Sequence, residues 1–214
     1  MAYDHALQIS LTNHCNFSCW HCPIGEWRNT DPRYPLNNAE LIPWLDEFVN
    51  PKNTVIELTG GDPSLYNGIE ELCEWLSMHQ YKVLIKTNGM KEIPKFDGIK
   101  RIAAFHQLHN PPKYFDEILI VDKIDREAKE AICQEKGWKY HVIGFNSEVI
   151  DSVQHQFRFV AVVNPAGHSY MCFAKQPVQN IVNGIDYNRI THRQLVWSRA
   201  CERCKFLHDM WIFL

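Results

Sequence analysis

The chain contains no apolar stretch near the roughly 18 residues that a membrane-spanning helix needs, which argues against an integral membrane protein. Its first residues, Met1 to His5, lack a charged segment followed by an apolar one, so no secretory leader is expected there. The expected compartment is the cytoplasm. No internal repeat or low-complexity tract is visible, which disfavours a solenoid. Positive charge is not in excess either. A formal net charge of -3 argues against avid nonspecific binding to nucleic acid and leaves a nucleotide or a single modified base open.

What is present suits one domain, or one domain with a small appendage, because 214 residues can bury a core. Seven Trp and eleven Phe supply large packing volumes within a composition that is 45% hydrophobic and 22% charged. Short apolar segments recur with helical patterns between them, the signature of repeated β-α units and a parallel sheet. Six strands are predicted, at Leu7 to Leu11, Thr54 to Thr59, Lys82 to Lys86, Arg101 to Phe105, Glu117 to Asp122 and Lys139 to Phe145. Ile69, Leu72, Cys73 and Leu76 fall at helical spacing and predict an amphipathic helix with Cys73 in the core. Asp125 is placed to cap a helix running to about Lys136, with Ala128, Ala131 and Ile132 inward and Gly137 as its stop. Six such units are too few to close an eight-stranded barrel of about 250 residues. The expected fold is therefore α/β, a partial (β/α)6 TIM-like barrel over residues 1–147. A polar stretch from Ser147 to Gln156 separates it from an appendage at 148–214, which opens with a hairpin between Gln156 and Cys172.

Eight cysteines are distributed unevenly. Cys15, Cys19 and Cys22 form a C-x3-C-x2-C triplet directly after the first strand. Iron-sulfur clusters are held by closely spaced thiolates, usually four, so three suggest a cubane with one open iron where a small molecule can bind. A disulfide framework would require an oxidising compartment. Structural zinc normally takes two Cys pairs. Gly60-Gly61-Asp62-Pro63 follows the second strand, where two glycines let the backbone approach a ligand closely, or simply make a tight strand-to-helix turn. Thr87-Asn88-Gly89 follows the third strand and reads by itself as an Asn-Gly turn. The fourth strand ends in Phe105-His106-Gln107-Leu108-His109, and His106 is an acid-base candidate near neutral pH as well as an ordinary packed histidine.

These motifs in this order resemble the radical SAM enzymes. The resemblance implies that Cys15, Cys19 and Cys22 carry a 4Fe-4S cluster whose unique iron chelates the amino and carboxylate groups of S-adenosyl-L-methionine (SAM). Gly60, Gly61 and Asp62 look like the family's GGE-type motif with Asp for Glu, whose backbone and carboxylate hold the methionine amino group. Asn88 and Thr87 stand where the family places cofactor-pocket residues. His21 occupies a position that usually holds an aromatic residue whose backbone borders the adenine, a role Trp20 shares. His106 and Gln107 stand where contacts to the SAM ribose or the substrate are common. No catalytic residue beyond these is assigned. An external one-electron donor of the flavodoxin or ferredoxin type is implied, with SAM cleaved to a 5'-deoxyadenosyl radical that abstracts a substrate hydrogen.

A second thiol group lies near the end of the chain. Cys172 and the Cys201-x2-Cys204 pair look like an abbreviated SPASM or twitch appendage, which in relatives binds an auxiliary 4Fe-4S cluster. Zinc is the alternative, and in either case His168, His192 or His208 can fill a fourth position. Arg189, Arg193, Arg199, Arg203 and Lys205 surround Trp197 and outnumber Asp186 and Glu202. That is a solvated basic face or a surface for a phosphate-bearing substrate. The loop from Pro23 to Asn38, with Trp27 and Tyr34, is a candidate lid. The small size, the single appendage and its basic character favour a modified DNA or nucleotide substrate. The specific expectation is an isomerase that moves a glycyl attachment on a thymine methyl from nitrogen to carbon in phage DNA hypermodification. A peptide maturase and a noncatalytic iron-sulfur or zinc module are the alternatives.

Overall fold

The computed structural model describes residues 3–19, 22, 28–31, 35–122, 125–144, 159–163, 169–170 and 198–199. The first strand, β1, runs over His5–Thr12, followed by α1 at Asn38–Phe48, β2 at Thr54–Gly60 and a 3-10 turn at Pro63–Leu65. Then come α2 at Ile69–Met78, β3 at Lys82–Thr87, β4 at Ile99–Ala104 and β5 at Glu117–Asp122. The remaining elements are α3 at Arg126–Glu135, β6 at Tyr140–Gly144, β7 at Phe159–Val163, β8 at Ser169–Tyr170 and β9 at Ser198–Arg199.

The sheet order β6-β5-β4-β3-β2-β1-β7-β8 makes an open array, with β9 alongside β7. Strands β1 to β7 are all parallel, so the expected partial TIM-like barrel forms and does not close on itself. The hairpin expected near the boundary is present, since β7 pairs antiparallel with β8. Its first strand also pairs parallel with β1, His5 opposite Phe159, and so extends the main sheet on the edge away from β2. The strand β7 thus serves the barrel as its seventh, which a period-2 pattern could not reveal.

Alternation along the strands separates two faces. Leu7, Ile9 and Leu11 of β1, Ile56 and Leu58 of β2, and Val83 and Ile85 of β3 pack with Leu41 and Leu45 of α1 and Leu72, Cys73 and Leu76 of α2. Each such fully buried aliphatic side chain contributes about 2 kcal/mol of burial free energy. The expected stripe on α2 is buried at all four positions, and Cys73 is a core residue. Its thiol is pushed up to about 12, first by burial and then by Glu70. On α1, Leu41, Trp44, Leu45 and Phe48 fall at helical spacing and face the core, Asn37 caps the first turn by accepting from the Glu40 amide at 3.1 Å, and Pro43 is accommodated inside the helix. Tyr81 then accepts the role of anchor, its hydroxyl donating to the Leu45 and Val49 carbonyls at 3.1 and 2.8 Å.

The face expected for α3 is rotated. Ala128 and Ala131 are exposed and Ile132 is half-buried, while Lys129 and Cys133 are the buried positions. Cys133 joins Ala103, Phe105, Ile118 and Ile120 in a second apolar cluster. The Lys129 ammonium lies 5.9 Å from the Phe105 ring centroid, so its alkyl stem fills space that a purely apolar pattern assigned to alanine. Asp125 holds the N-cap position in a left-handed conformation at φ 53°, and its side chain makes no capping bond.

Below β4 and β5 the buried Arg101 closes on Asp116. Its backbone amide and Nε donate to Asp116 Oδ2 at 2.8 and 3.1 Å, and Nη2 donates to Oδ1 at 2.8 Å. Burial alone would raise the Asp116 carboxyl, but the Arg101 hydrogen bonds outweigh it and hold the group below its ordinary value. A depressed carboxylate pKa contributes stability above the unfolded-state value, and this is lost as pH falls through the folded-state value. Asp116→Asn is therefore expected to lower stability by about 2 kcal/mol near neutral pH. That difference should shrink progressively as pH falls below the ordinary Asp value of about 3.9, read as urea midpoints across the range.

Candidate active site

Three strand ends converge on the segment that leads into the cysteine triplet. Strand β1 shifts register against β2 between Ser10 and Thr12, where Thr12 pairs with Gly60. The irregularity turns the chain out of the sheet three residues before Cys15. Gly60 and Gly61 receive this segment directly. The Gly61 amide donates to the Thr12 carbonyl at 2.6 Å and the Asp62 amide to the His14 carbonyl at 2.7 Å. A Cβ on Gly60 would lie 2.4 Å from Thr12 O, and one on Gly61 would lie 2.2 Å from His14 O. Gly60 also holds φ +131°, a region closed to other residues at ordinary cost. The close approach expected of this glycine pair is thus made to the protein's own backbone.

Asp62 is buried and its carboxylate is occupied by the chain. Oδ1 accepts from the Ser64 amide at 2.9 Å, the Ser64 hydroxyl at 2.6 Å and the Thr87 hydroxyl at 2.9 Å. Oδ2 accepts from the Asn88 amide at 2.8 Å and again from Thr87 at 3.1 Å. Asp62 therefore caps the 3-10 turn and ties the end of β2 to the end of β3. Thr87, in turn, accepts from the Gly89 amide at 3.1 Å, fixing the Asn-Gly turn.

The same tie positions Asn88. Its Nδ2 donates to Asn16 Oδ1 and lies 3.9 Å from Cys15 Sγ, while its Oδ1 accepts from Met90 N at 3.0 Å. Cys15 Sγ also accepts from the Phe17 amide at 3.4 Å. From the other side, Asn29 Oδ1 accepts from the Cys15 amide at 2.9 Å, and its own amide donates to Asn13 O at 3.0 Å. Asn29 stands at φ 62°, a conformation that asparagine tolerates better than most residues. The sequence reading missed Asn13, Asn16 and Asn29. The only local signal was a high density of Asn near the cysteines, since the contacts that matter are 14 or more residues apart.

Cys15, Cys19 and Cys22 are half-buried, and the Cys22 amide donates to the Cys19 carbonyl at 3.2 Å. Burial is the main effect raising the thiol pKa values of Cys15 and Cys19. The Phe17 amide and Asn88 oppose it at Cys15, and Arg28 opposes it at Cys19. Three thiolates this close need a cation, and an iron-sulfur cluster supplies one while N–H donors to sulfur stabilise the ligated form. The residues present fit that group. Among the described residues no three acidic, His or Cys side chains converge on a single-ion site, an observation without bearing on a cubane whose thiolates bind separate irons.

His106 is brought to the loop through Phe17, the two rings meeting edge-on with centroids 6.1 Å apart. His21 and Trp20 lie outside the described residues, as do Trp27 and Tyr34 of the expected lid. So do Cys172, Cys201, Cys204, His168, His192, His208 and Trp197 with most of the basic residues around it. Among the described residues no helix is long and apolar enough to cross a membrane.

An open parallel barrel with a thiol-bearing loop after its first strand, braced by glycines after the second, defines a class of cluster-binding α/β proteins. The Radical SAM superfamily model matches residues 9–119, and the chain belongs to that superfamily. Among its relatives, GTP 3',8-cyclase of Aquifex aeolicus is 31% identical over 173 residues, covering 73% of this chain and 53% of the relative. The 7-carboxy-7-deazaguanine synthase of Clostridium acetobutylicum is 35% identical over 94 residues, 42% of this chain and 41% of the relative. The structure of Streptococcus suis SuiB bound to precursor peptide SuiA superposes with a TM-score of 0.53 at 11% identity, covering 87% of this chain and 62% of SuiB. At that identity the likeness is one of fold. The chain spans about half or less of the length of the curated relatives described.

Proposed function

We propose that this chain is an enzyme that cleaves SAM reductively at a 4Fe-4S cluster held by Cys15, Cys19 and Cys22, and that its substrate carries a nucleoside. The observation that supports the first part most directly is the convergence of the ends of β1, β2 and β3 on the cysteine loop through Gly61, Asp62 and Asn88. When bound, the cluster and SAM supply a 5'-deoxyadenosyl radical that removes a hydrogen atom from the substrate. The chain's own residues bind and orient. Three thiolates ligate, Asn88 and the Phe17 amide donate toward Cys15 Sγ, and the glycine pair keeps the loop against the sheet. Asp62 and Thr87 act as braces behind that pocket, since their polar atoms are engaged with one another. His106, which meets Phe17 edge-on, is a candidate contact to SAM or substrate, and His21 is carried forward as an adenine neighbour.

The nucleoside reading draws on relatives named for GTP and for a deazaguanine. Isomerisation of a glycyl-modified thymidine in DNA is the particular reaction carried forward from the sequence. Cys172, Cys201 and Cys204 are proposed to hold an auxiliary cluster in a C-terminal appendage beginning near residue 148, with the electron supplied by a flavodoxin or ferredoxin in the cytoplasm.

Anaerobic reconstitution with iron, sulfide, SAM and dithionite tests the core of this reading. Wild-type protein is expected to form 5'-deoxyadenosine, and Cys15→Ala to reduce it by at least about a hundredfold with loss of iron. No 5'-deoxyadenosine from wild-type protein, with or without nucleotide, modified DNA or peptide, would sink the reading. Iron counts on Cys172→Ala separate one cluster from two.

A further inference from the structure

The face of the sheet turned away from the helices carries a charged belt that the cluster chemistry does not use. Its positions follow from alternation, because Val83 and Ile85 of β3, Ala103 of β4 and Ile118 and Ile120 of β5 pack on the helix-covered side. Lys86, Lys100, Glu117, Lys139 and His141 therefore lie on the inner face, with Glu57 and Gln8 on β2 and β1. Two buried carboxylates organise the amines. Glu57, with 0% side-chain exposure, meets Lys86 Nζ at 2.9 Å on Oε2 and accepts from Gln8 Nε2 at 2.6 Å on Oε1. Glu117, 6% exposed, meets Lys100 Nζ at 3.0 Å and Lys139 Nζ at 2.6 Å on Oε1, and His141 Nε2 at 2.9 Å on Oε2.

The exposures are asymmetric. Lys86, Lys100, Lys139 and His141 have side chains 19%, 26%, 66% and 29% exposed, while both glutamates are shut behind them. A ligand entering the open barrel therefore meets donors before carboxylates. Three lysines, joined by His141 when protonated, stand over two glutamates in a chain whose formal net charge is -3. Ion pairs this buried seldom stabilise a fold more than apolar packing would, so stability alone does not explain them. The belt thus presents a surplus of amines on its exposed side, and such a surplus attracts ions of the opposite sign.

We propose that this belt is an anion-binding site that takes the phosphate of a mononucleotide substrate, with Lys86 and Lys100 on adjacent strands as its centre and Glu57 and Glu117 as positioning residues. The proposal rests on the nucleoside reading above and narrows it to phosphorylated forms. Lysine is well suited to phosphate as a point charge, and the row from β3 to β6 offers several within one surface.

Calorimetry on the reconstituted, SAM-bound protein tests it with thymidine and guanosine against their 5'-monophosphates. The monophosphates are expected to bind at least about tenfold tighter at low salt, with the advantage shrinking at about 0.2 M salt. Lys86→Met and Lys100→Met should each remove most of that advantage while leaving nucleoside affinity and SAM cleavage in place, and Lys86→Arg should retain it. Equal affinity for nucleosides and monophosphates in wild-type protein would overturn the proposal without recourse to any variant. So would an advantage that survives both methionine variants, or one seen only with oligonucleotides, which would point to a nucleic-acid strand. Protein that makes 5'-deoxyadenosine yet binds neither nucleoside nor nucleotide loses this proposal and the nucleoside reading together, while its radical chemistry stands. Protein that makes no 5'-deoxyadenosine fails at the earlier step.

Discussion

Gly61→Ala is expected to cut cluster loading severely although residue 61 contributes no side chain to it. The added Cβ would sit 2.2 Å from the His14 carbonyl oxygen and 2.6 Å from two neighbouring backbone carbons. Backbone atoms cannot swing aside as a flexible side chain would, so the segment Asn13–His14 must move, taking Cys15 with it. The hydrogen bonds from the Gly61 and Asp62 amides to Thr12 and His14 would go at the same time. Overpacking of this kind costs about 1–3 kcal/mol, or more where backbone is the obstacle. Iron and sulfide per chain after reconstitution should drop about tenfold relative to wild type. The thermal midpoint should fall by several degrees for a domain of this size. Full iron content in Gly61→Ala would show that the loop is not held through this contact. Gly60→Ala should be at least as severe, because it adds a forbidden φ to a 2.4 Å clash.

Asp62→Ala is expected to be the most destabilising single truncation near the site. It leaves the Ser64 amide, the Thr87 hydroxyl and the Asn88 amide without their acceptor in a buried position. Each unsatisfied buried donor costs about 1–3 kcal/mol, so a total of about 4 kcal/mol is a reasonable expectation after partial relaxation. Asp62→Asn should cost about half as much, since one oxygen survives and the amide nitrogen then opposes another donor. Asp62→Glu is the informative third variant. The family's more usual residue carries an extra methylene, and here the carboxylate sits at 2.6–3.1 Å from its partners, leaving no slack for it. Urea midpoints for the three variants, with SAM affinity measured on reconstituted protein, separate bracing from direct contact. If Asp62 only braces, loss of SAM affinity will follow loss of stability across the series. A variant that keeps its stability and loses SAM binding would instead assign the carboxylate to the cofactor.

Much of the architecture was legible along the chain because parallel strands buried on both faces read as apolar runs. Strand bounds fall within two residues of expectation from β1 to β6. The stripe on α2 and the burial of Cys73 follow from spacing alone. The α3 face did not, because a lysine stem can bury as well as alanine can, and apolar counting ignores it. The seventh parallel strand was hidden for a related reason. Whether β7 pairs with its hairpin partner alone or also with β1 depends on a free edge of β1, 154 residues earlier in the chain.

For the site, the sequence by itself determined which residues are the candidates: three thiols at cluster spacing, a glycine pair after β2 and an Asn after β3. These are chemical types at fixed offsets, and offsets survive in one dimension. Only the tertiary structure decided what those residues do to one another. It turned the glycine pair toward the cysteine loop, made Asp62 and Thr87 a brace and set Asn88 beside Cys15. It also drew Lys86, Lys100, Lys139 and His141 into one belt from three separate segments. The physical reason is the same in each case. Hydrogen bonds, steric limits and ion pairs act over a few ångströms in space, and parallel β-α winding places residues 15 to 75 positions apart within that reach.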